Sequence, residues 1–291
     1  PKLSDKEWIE KCVKESQYIG SDAAFANIYL LRSKYNIKVT YYKDLLIRYY
    51  EGLGNRKGYT FPLGRKDVLS ALYAIEQDAK EMNRPLEFCF VTEEQKEILE
   101  NTFAGRTESS SDAGDYDYIY GQPELSLLSG RTYHKKKNHV SKFKRTYEDY
   151  MFCEIGNGNL DDVMLIEDEW YDRLQQDDTS AMKEYEAIRE AVDNFEELSL
   201  SGGIIYANNV PVAMTIASYI NDAAVDIHFE KAVGEYAVNG GFAAINQMYA
   251  STLKDVKFIN REEDINIPGL RKAKESYHPK FMLKKYGMRV K

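Results

Sequence analysis

Asp226-Ile227-His228-Phe229-Glu230-Lys231 opens the stretch that decides the fold. A helical run follows to Leu253, then Lys257-Phe258-Ile259-Asn260-Arg261-Glu262-Glu263-Asp264. The stretch closes on Pro268-Gly269-Leu270-Arg271-Lys272-Ala273-Lys274-Glu275-Ser276-Tyr277-His278-Pro279-Lys280-Phe281. Twice a β-rich apolar segment runs straight into charged residues, and once a Gly-rich turn opens a helix. Strand ends and helix starts are where α/β architectures place their chemistry.

Upstream of it lies a meander. Apolar runs at 203–207, 210–220 and 224–229 are separated by the turns Asn208-Asn209 and Asn221-Asp222, a hairpin signal because Asn tolerates left-handed backbone. Strands are expected at 150–155, 256–260 and 280–286. Helices are expected at 161–175, 180–198, 239–253 and 268–277. The first half has the same order. A hairpin of 37–42 and 45–50 turns at Lys43-Asp44, and strands follow at 59–63, 86–91 and 116–120. Helices are expected at 22–33, 66–82 and from 92 to Phe103, with capping boxes at 4–7 and 92–95. Residues 105–114, rich in Ser, Gly and Asp, are expected to be a mobile loop. The shared order suggests two α+β domains of similar design; one irregular α+β domain is the alternative.

Composition narrows the function. The 291 residues carry a formal net charge of −8, which argues against a uniformly basic nucleic-acid binder. No apolar run approaches the ~18 residues of a membrane span. Cys12, Cys89 and Cys153 are far apart and odd in number, so neither a metal spacing nor a disulfide framework follows. The start, Pro1-Lys2-Leu3-Ser4, lacks signal-peptide features, and a bacterial-type cytosol is the expected location.

Several clusters point to chemistry. His228 and Glu230 alternate onto one face of their strand and Phe229 and Lys231 onto the other; a histidine beside a carboxylate can be a tuned acid or base, and Lys231 fits an ion pair at a strand end. Asn260, Arg261, Glu262, Glu263 and Asp264 are delivered by a strand end. Carboxylates there can act as a general base or bind a substrate ammonium, or form a solvated acidic loop. On the next helix Arg271, Lys274 and His278 share a face, with Leu270, Ala273 and Tyr277 on the apolar one. That basic stripe can hold an anion or simply pair with the three acids. Gly240 and Gly241 precede an apolar helix; they either let a phosphate or carboxylate approach free amides or are required by packing. From 125 to 147 there is no acidic residue, and Lys135, Lys136, Lys137, Lys142 and Lys144 form a basic helix between the halves. It reads either as an RNA-phosphate contact or as a solvated linker. Walker, Rossmann, nucleophile-elbow and zinc motifs are absent.

The segments Tyr118-Ile119-Tyr120, Tyr133-His134-Lys135-Lys136-Lys137-Asn138-His139, His228-Phe229-Glu230-Lys231-Ala232, Ala244-Ile245-Asn246 and Ile259 through Asp264 to Tyr277-His278-Pro279 together resemble a widespread bacterial family. It is related to the C-terminal domain of phosphatidylglycerol lysyltransferases, and the resemblance runs from about Ser21 to the end. It implies two tandem acyltransferase domains of the GNAT fold, with mixed, mainly antiparallel sheets flanked by helices, divided into 1–134 and 135–291. It also implies kinship with Fem-type peptidyltransferases, which take an amino acid from aminoacyl-tRNA. Acetyl-CoA transferases carry an Arg/Gln-x-x-Gly-x-Gly/Ala loop, and 233–241 does not match it, which weighs against coenzyme A.

The resulting expectation is an acyl or aminoacyl transferase, with aminoacyl-tRNA or acyl-CoA as donor and an amine or hydroxyl as acceptor. Glu262 or Asp264 would be the base and His228 the alternative base. Glu230, Lys231, Asn260, Arg261, Glu263, Arg271, Lys274 and Tyr277 would contact substrate, and Gly240 and Gly241 the donor phosphate. No metal is expected. The competing expectation is a module that binds an amino-acid-like or carboxylate ligand without turnover.

Overall fold

Lys43 and Asp44 both take left-handed backbone angles, φ 50° and 66°, as do Asn208 and Asn209, φ 54° and 62°. Two-residue turns of that hand match the twist of the strands they join, so both hairpins form where the sequence places them. The computed structural model of the chain describes residues 1–173 and 179–291, with 179 and 180 as backbone.

The chain opens with α1 (Lys6–Ser16) and α2 (Phe25–Leu30), then β1 (Lys38–Tyr42), β2 (Leu45–Glu51) and β3 (Lys57–Thr60). Next come α3 (Leu69–Glu81), β4 (Leu86–Val91), α4 (Glu93–Thr102), β5 (Thr107–Ser111), β6 (Asp117–Gly121), α5 (Gln122–Leu127) and α6 (His134–Thr146). The remainder is β7 (Met151–Glu154), α7 (Leu160–Asp172), α8 (Thr179–Asp193), β8 (Ser201–Ala207), β9 (Val210–Asn221), β10 (Ala224–Ala232), α9 (Gly234–Val238), α10 (Gly241–Thr252), β11 (Phe258–Asn260), α11 (Pro268–Glu275), β12 (Phe281–Leu283) and β13 (Tyr286–Val290). The expected helix end at residue 175 lies outside the described residues.

These strands make two sheets, ordered β1-β2-β3-β4-β13-β5 and β7-β8-β9-β10-β11-β6-β12. Neighbours are antiparallel except β3 with β4 and β10 with β11, which run parallel. Each sheet contains a strand from the other half of the chain: β6 lies between β11 and β12, and β13 lies between β4 and β5. The two exchanged strands begin by gripping each other. Asp117 is the first residue of β6, Lys285 is the residue before β13, and the Lys285 ammonium donates to Asp117 Oδ1 at 2.7 Å with both side chains buried. Lys285 also reaches Asp22 at 3.1 Å, and Asp22 pairs with Arg48 of β2 at 3.0 Å. The apolar core crosses the halves as well, since Ile9 of α1 and Ile28 of α2 share a cluster with Met214, Ile216 and Ile220 of β9.

Three local expectations need correction. Residues 105–114 contain β5, which pairs with β13 from Thr107↔Val290 to Ser111↔Tyr286. As a mostly exposed edge strand reading Thr-Glu-Ser-Ser-Ser, it has no apolar alternation to reveal it. The single strand expected at 280–286 is two strands in different sheets, parted at Lys284-Lys285. At the N-terminus the capping carboxylate is Asp5, accepting from the Lys2 amide at 2.7 Å, rather than a box spanning 4–7. The box at 92–95 forms as expected, with bonds of 3.0 and 3.3 Å.

Candidate active site

The parallel pairing of β10 and β11 lasts three residues, from Ala224↔Phe258 to Asp226↔Asn260. There β11 ends, while β10 continues to Ala232, so the strands part just after Asp226. At the same point β10 slips by one residue against β9, because Ile227 faces Ala217 and Phe229 faces Ile216. His228 is the extra residue of this bulge, a device that re-aims a side chain.

The parting strands hold a polar cluster. His228 Nδ1 lies 3.4 Å from Asp226 Oδ2 and 3.7 Å from Glu262 Oε1. His228 Nε2 is 2.8 Å from the hydroxyl of Ser218, which sits opposite Asp226 on β9. That contact orients the ring with Nδ1 toward the carboxylates. Asn27 of α2, from the other half, donates to Glu262 Oε1 at 3.1 Å and to Asp226 Oδ2 at 3.5 Å. Asp226 is 0% exposed and its Oδ1 has no partner among the described residues. Burial, with the charges of Glu262 and Asp117, holds the Asp226 carboxyl well above the usual range. Burial also raises Glu262; the neighbouring charge of Glu263 adds to this and the nearby His228 ring, 3.7 Å away, opposes it.

Glu262 differs from its neighbours in two ways. Its side chain is 27% exposed against 3% for His228 and 0% for Asp226, so solvent reaches the cluster through Glu262. Its backbone is left-handed at φ 55°, a conformation that costs a non-glycine residue free energy and is often found at functional sites. A carboxyl group with a raised pKa at the mouth of a buried polar cluster suits a general base working near neutral pH. The ligand-type atoms of Asp226, His228 and Glu262 all lie within 4.8 Å of one another, so among the described residues these three could hold a metal ion.

The other two acids of the run are committed elsewhere. Glu263 pairs with Arg56 of the first half at 2.7 Å. Although burial pushes its pKa up, Arg56 and Lys285 bring it below the ordinary value. Asp264 takes a two-pronged contact from Arg271, at 2.7 and 2.8 Å, and accepts from the Tyr118 hydroxyl at 2.7 Å. These bonds outweigh its burial and lower its pKa. Lys274 is buried and donates to the carbonyl oxygens of Arg261 and Glu263, stapling the loop. Asn260 donates to Asp117 and to the Ile19 carbonyl, at 2.8 and 3.0 Å, and its own oxygen accepts from the Glu262 amide at 2.8 Å.

Further along β10, Glu230 is held by Arg261 at 2.8 Å and Asn246 at 3.0 Å. The Arg261 guanidinium lies over the rings of Tyr277 and Tyr120, 4.7 and 5.7 Å from their centroids. Lys231 points the other way, pairs with Glu184 and sits over Trp170. Gly240 and Gly241 are buried against packed backbone. A Cβ on Gly240, at φ 103°, would lie 2.3 Å from the His139 carbonyl oxygen of α6, and one on Gly241 would lie 2.8 Å from that of Tyr236. The lysines of α6 separate. Lys136 lies over Tyr277 at 3.7 Å, Lys144 over Tyr150 at 5.6 Å, and Lys142 approaches the Val238 carbonyl at 3.5 Å. Lys135 and Lys137 are exposed.

Sequence reasoning assigned no role to Asp226, Ser218, Asn27 or Asn246. Counting back from the turn, which falls at Asp222-Ala223 rather than the expected Asn221-Asp222, would have set Asp226 opposite Tyr219; a register shift between Ala224 and Val225 brings it opposite Ser218 instead. Asn27 has no local signal, since it meets Glu262 across 235 residues of chain.

Residues 14–289 match the family model described as "Phosphatidylglycerol lysyltransferase, C-terminal". A conserved protein of unknown function from Bacteroides thetaiotaomicron VPI-5482 is 31% identical, with 100% of this chain and 98% of that one covered and a TM-score of 0.93. The structure of L-PGS from Bacillus licheniformis aligns at 14% identity over 98% of this chain and 92% of that one, TM-score 0.67. FemX aligns at 9% identity over 100% and 96%, TM-score 0.64. These likenesses extend to the fold, two mixed and mostly antiparallel GNAT-like sheets flanked by helices. No match was found among curated proteins. Among the described residues no helix is long and apolar enough to cross a membrane.

Proposed function

Since the chain belongs to the phosphatidylglycerol lysyltransferase C-terminal family, we propose that it transfers an aminoacyl group from aminoacyl-tRNA to an amine or hydroxyl acceptor where β10 and β11 part. The observation that carries this reading is Glu262, strained, partly open to solvent and backed by His228 and Asp226. The acceptor attacks the ester carbonyl of the donor while Glu262 takes the acceptor's proton. The ester C–O bond then breaks, and the proton passes to the departing ribose oxygen. Asp226, His228, Ser218 and Asn27 act as positioning residues that hold the Glu262 carboxylate and tune its basicity. The packing of Gly240 and Gly241 under neighbouring carbonyls, with the unmatched coenzyme loop, favours the tRNA ester over an acyl-CoA donor.

Single-turnover loss of a labelled amino acid from aminoacyl-tRNA, into phosphatidylglycerol vesicles or amine-bearing peptides, tests this. Glu262→Gln should slow transfer by roughly 10²–10⁴-fold, the usual contribution of a general base, with the thermal midpoint close to wild type. A variant as fast as wild type removes Glu262 from the role. A wild type that transfers nothing, yet is stabilised by free amino acids, supports the binding module instead.

A further inference from the structure

Between α6 and α11 lies a cleft of about 510 Å³, lined among others by Thr132, Lys135, Lys136, His139, Lys272 and His278. No carboxylate lines it, and among the described residues none of its three lysines or two histidines pairs with one. Its size falls within the roughly 300–1,000 Å³ of ordinary small-ligand sites. Lys136 links the cleft to the parted strands, because its ammonium lies over the Tyr277 ring that Arg261 also stacks on. Arg261 spends one nitrogen on Glu230, while its Nη1 is buried without a hydrogen-bond partner among the described residues. Lys136 of the lining and Arg261 behind it are therefore two cations beside the single carboxylate of Glu230. Burial, with the charge of Arg261, pulls the Lys136 pKa down to about 8 against the opposing charge of Glu230.

We propose that this cleft is a phosphate-binding pocket, taking a mono- or diester of nucleotide or glycerophosphate size. Lysine ammonium groups converging from two helices recognise phosphate as point charges, and Thr132 adds a hydroxyl donor. The pocket is distinct from the basic helix as a whole, since Lys137 and Lys144 share α6 but do not line it. None of the residues placed at the transfer reaction lines the cleft, so binding there and transfer fail independently.

Isothermal titration with AMP and with sn-glycerol 3-phosphate, against adenosine and glycerol as phosphate-free controls, tests the proposal. Wild type should bind at least one phosphate ester saturably, and the tighter ester shows whether nucleotide or glycerolipid supplies the phosphate. Lys135→Glu with Lys272→Glu should weaken that binding at least tenfold. Lys137→Glu with Lys144→Glu, the same change in net charge on α6 outside the cleft, should alter it less than twofold. Lys272→Met, with no reversed charge, should weaken it in the same direction and guards against a misfolded double variant. Equal losses in the two double variants, equally tight adenosine, or no saturable binding would each overturn the assignment. None of these outcomes bears on Glu262, which the transfer assay judges separately.

Discussion

Each sheet has one parallel pair, β3 with β4 and β10 with β11, and in each the strand beyond that pair is borrowed from the other half. The last pair of the first seam is Thr60↔Cys89, both buried, beside Tyr59 and Phe88 in an apolar cluster with α3 and α4. Backbones there approach closely: a Cβ on Gly58 would lie 2.4 Å from the Glu87 carbonyl oxygen. The last pair of the second seam is Asp226↔Asn260, and beyond it stand His228 and Glu262. The same topology thus makes two seams, one filled with apolar and aromatic side chains and one with titratable groups. The strand arrangement provides the place, and the side chains at the end of the parallel pair decide whether it holds chemistry.

The largest effect should come from cutting the link that both seams share. Lys285→Met leaves Asp117 and Asp22 buried without their ammonium partner, and breaking a buried pair typically costs about 3–5 kcal/mol. Urea unfolding should show that loss; a midpoint near wild type would mean that the exchanged strands hold without this contact. A smaller and opposite effect separates the seams themselves. The folded pKa of Asp226 is raised above its unfolded value. Below the ordinary aspartate range both states keep the proton, so the group contributes nothing. As pH rises, the unfolded chain ionises first and stability falls. Asp226→Asn, which cannot ionise, should therefore be more stable than wild type at pH 7.5 by about 0.5–2 kcal/mol, with the gain gone near pH 4, and should transfer poorly. Thr60→Val at the matching place should leave transfer unchanged and stability equal or slightly higher, because the Thr60 hydroxyl is buried without a partner among the described residues. Loss of transfer in Thr60→Val would put chemistry in the wrong seam.

Much of this was legible in the sequence, for physical reasons that also mark where it stopped. The meander was readable because near-continuous apolar runs met Asn-rich turns. β5 was not, because an exposed edge strand buries too little to need an apolar face. The exchange of β6 and β13 depends on pairings across more than 130 residues, which no local pattern records. The acidic run after Asn260 was visible as a site, but three consecutive carboxylates look alike on paper. Their fates are set by Arg56, Arg271 and His228, which three separate elements bring in. Lys231 was readable as an ion pair because strand alternation turns it away from Glu230. The bulge that makes His228 the extra residue shows only in the strand register.

The most direct test of the central claim is the pH dependence of single-turnover transfer in wild type and His228→Gln, corrected for uncatalysed ester hydrolysis. The His228 ring, 3.7 Å from Glu262 Oε1, lowers the raised pKa of Glu262. Wild-type transfer should rise with pH along a limb above the ordinary glutamate range, as Glu262 loses its proton. In His228→Gln that limb should move to still higher pH. A limb at the same pH in both proteins, or a rate flat across the range, would contradict Glu262 as the base and the second seam as the place of reaction.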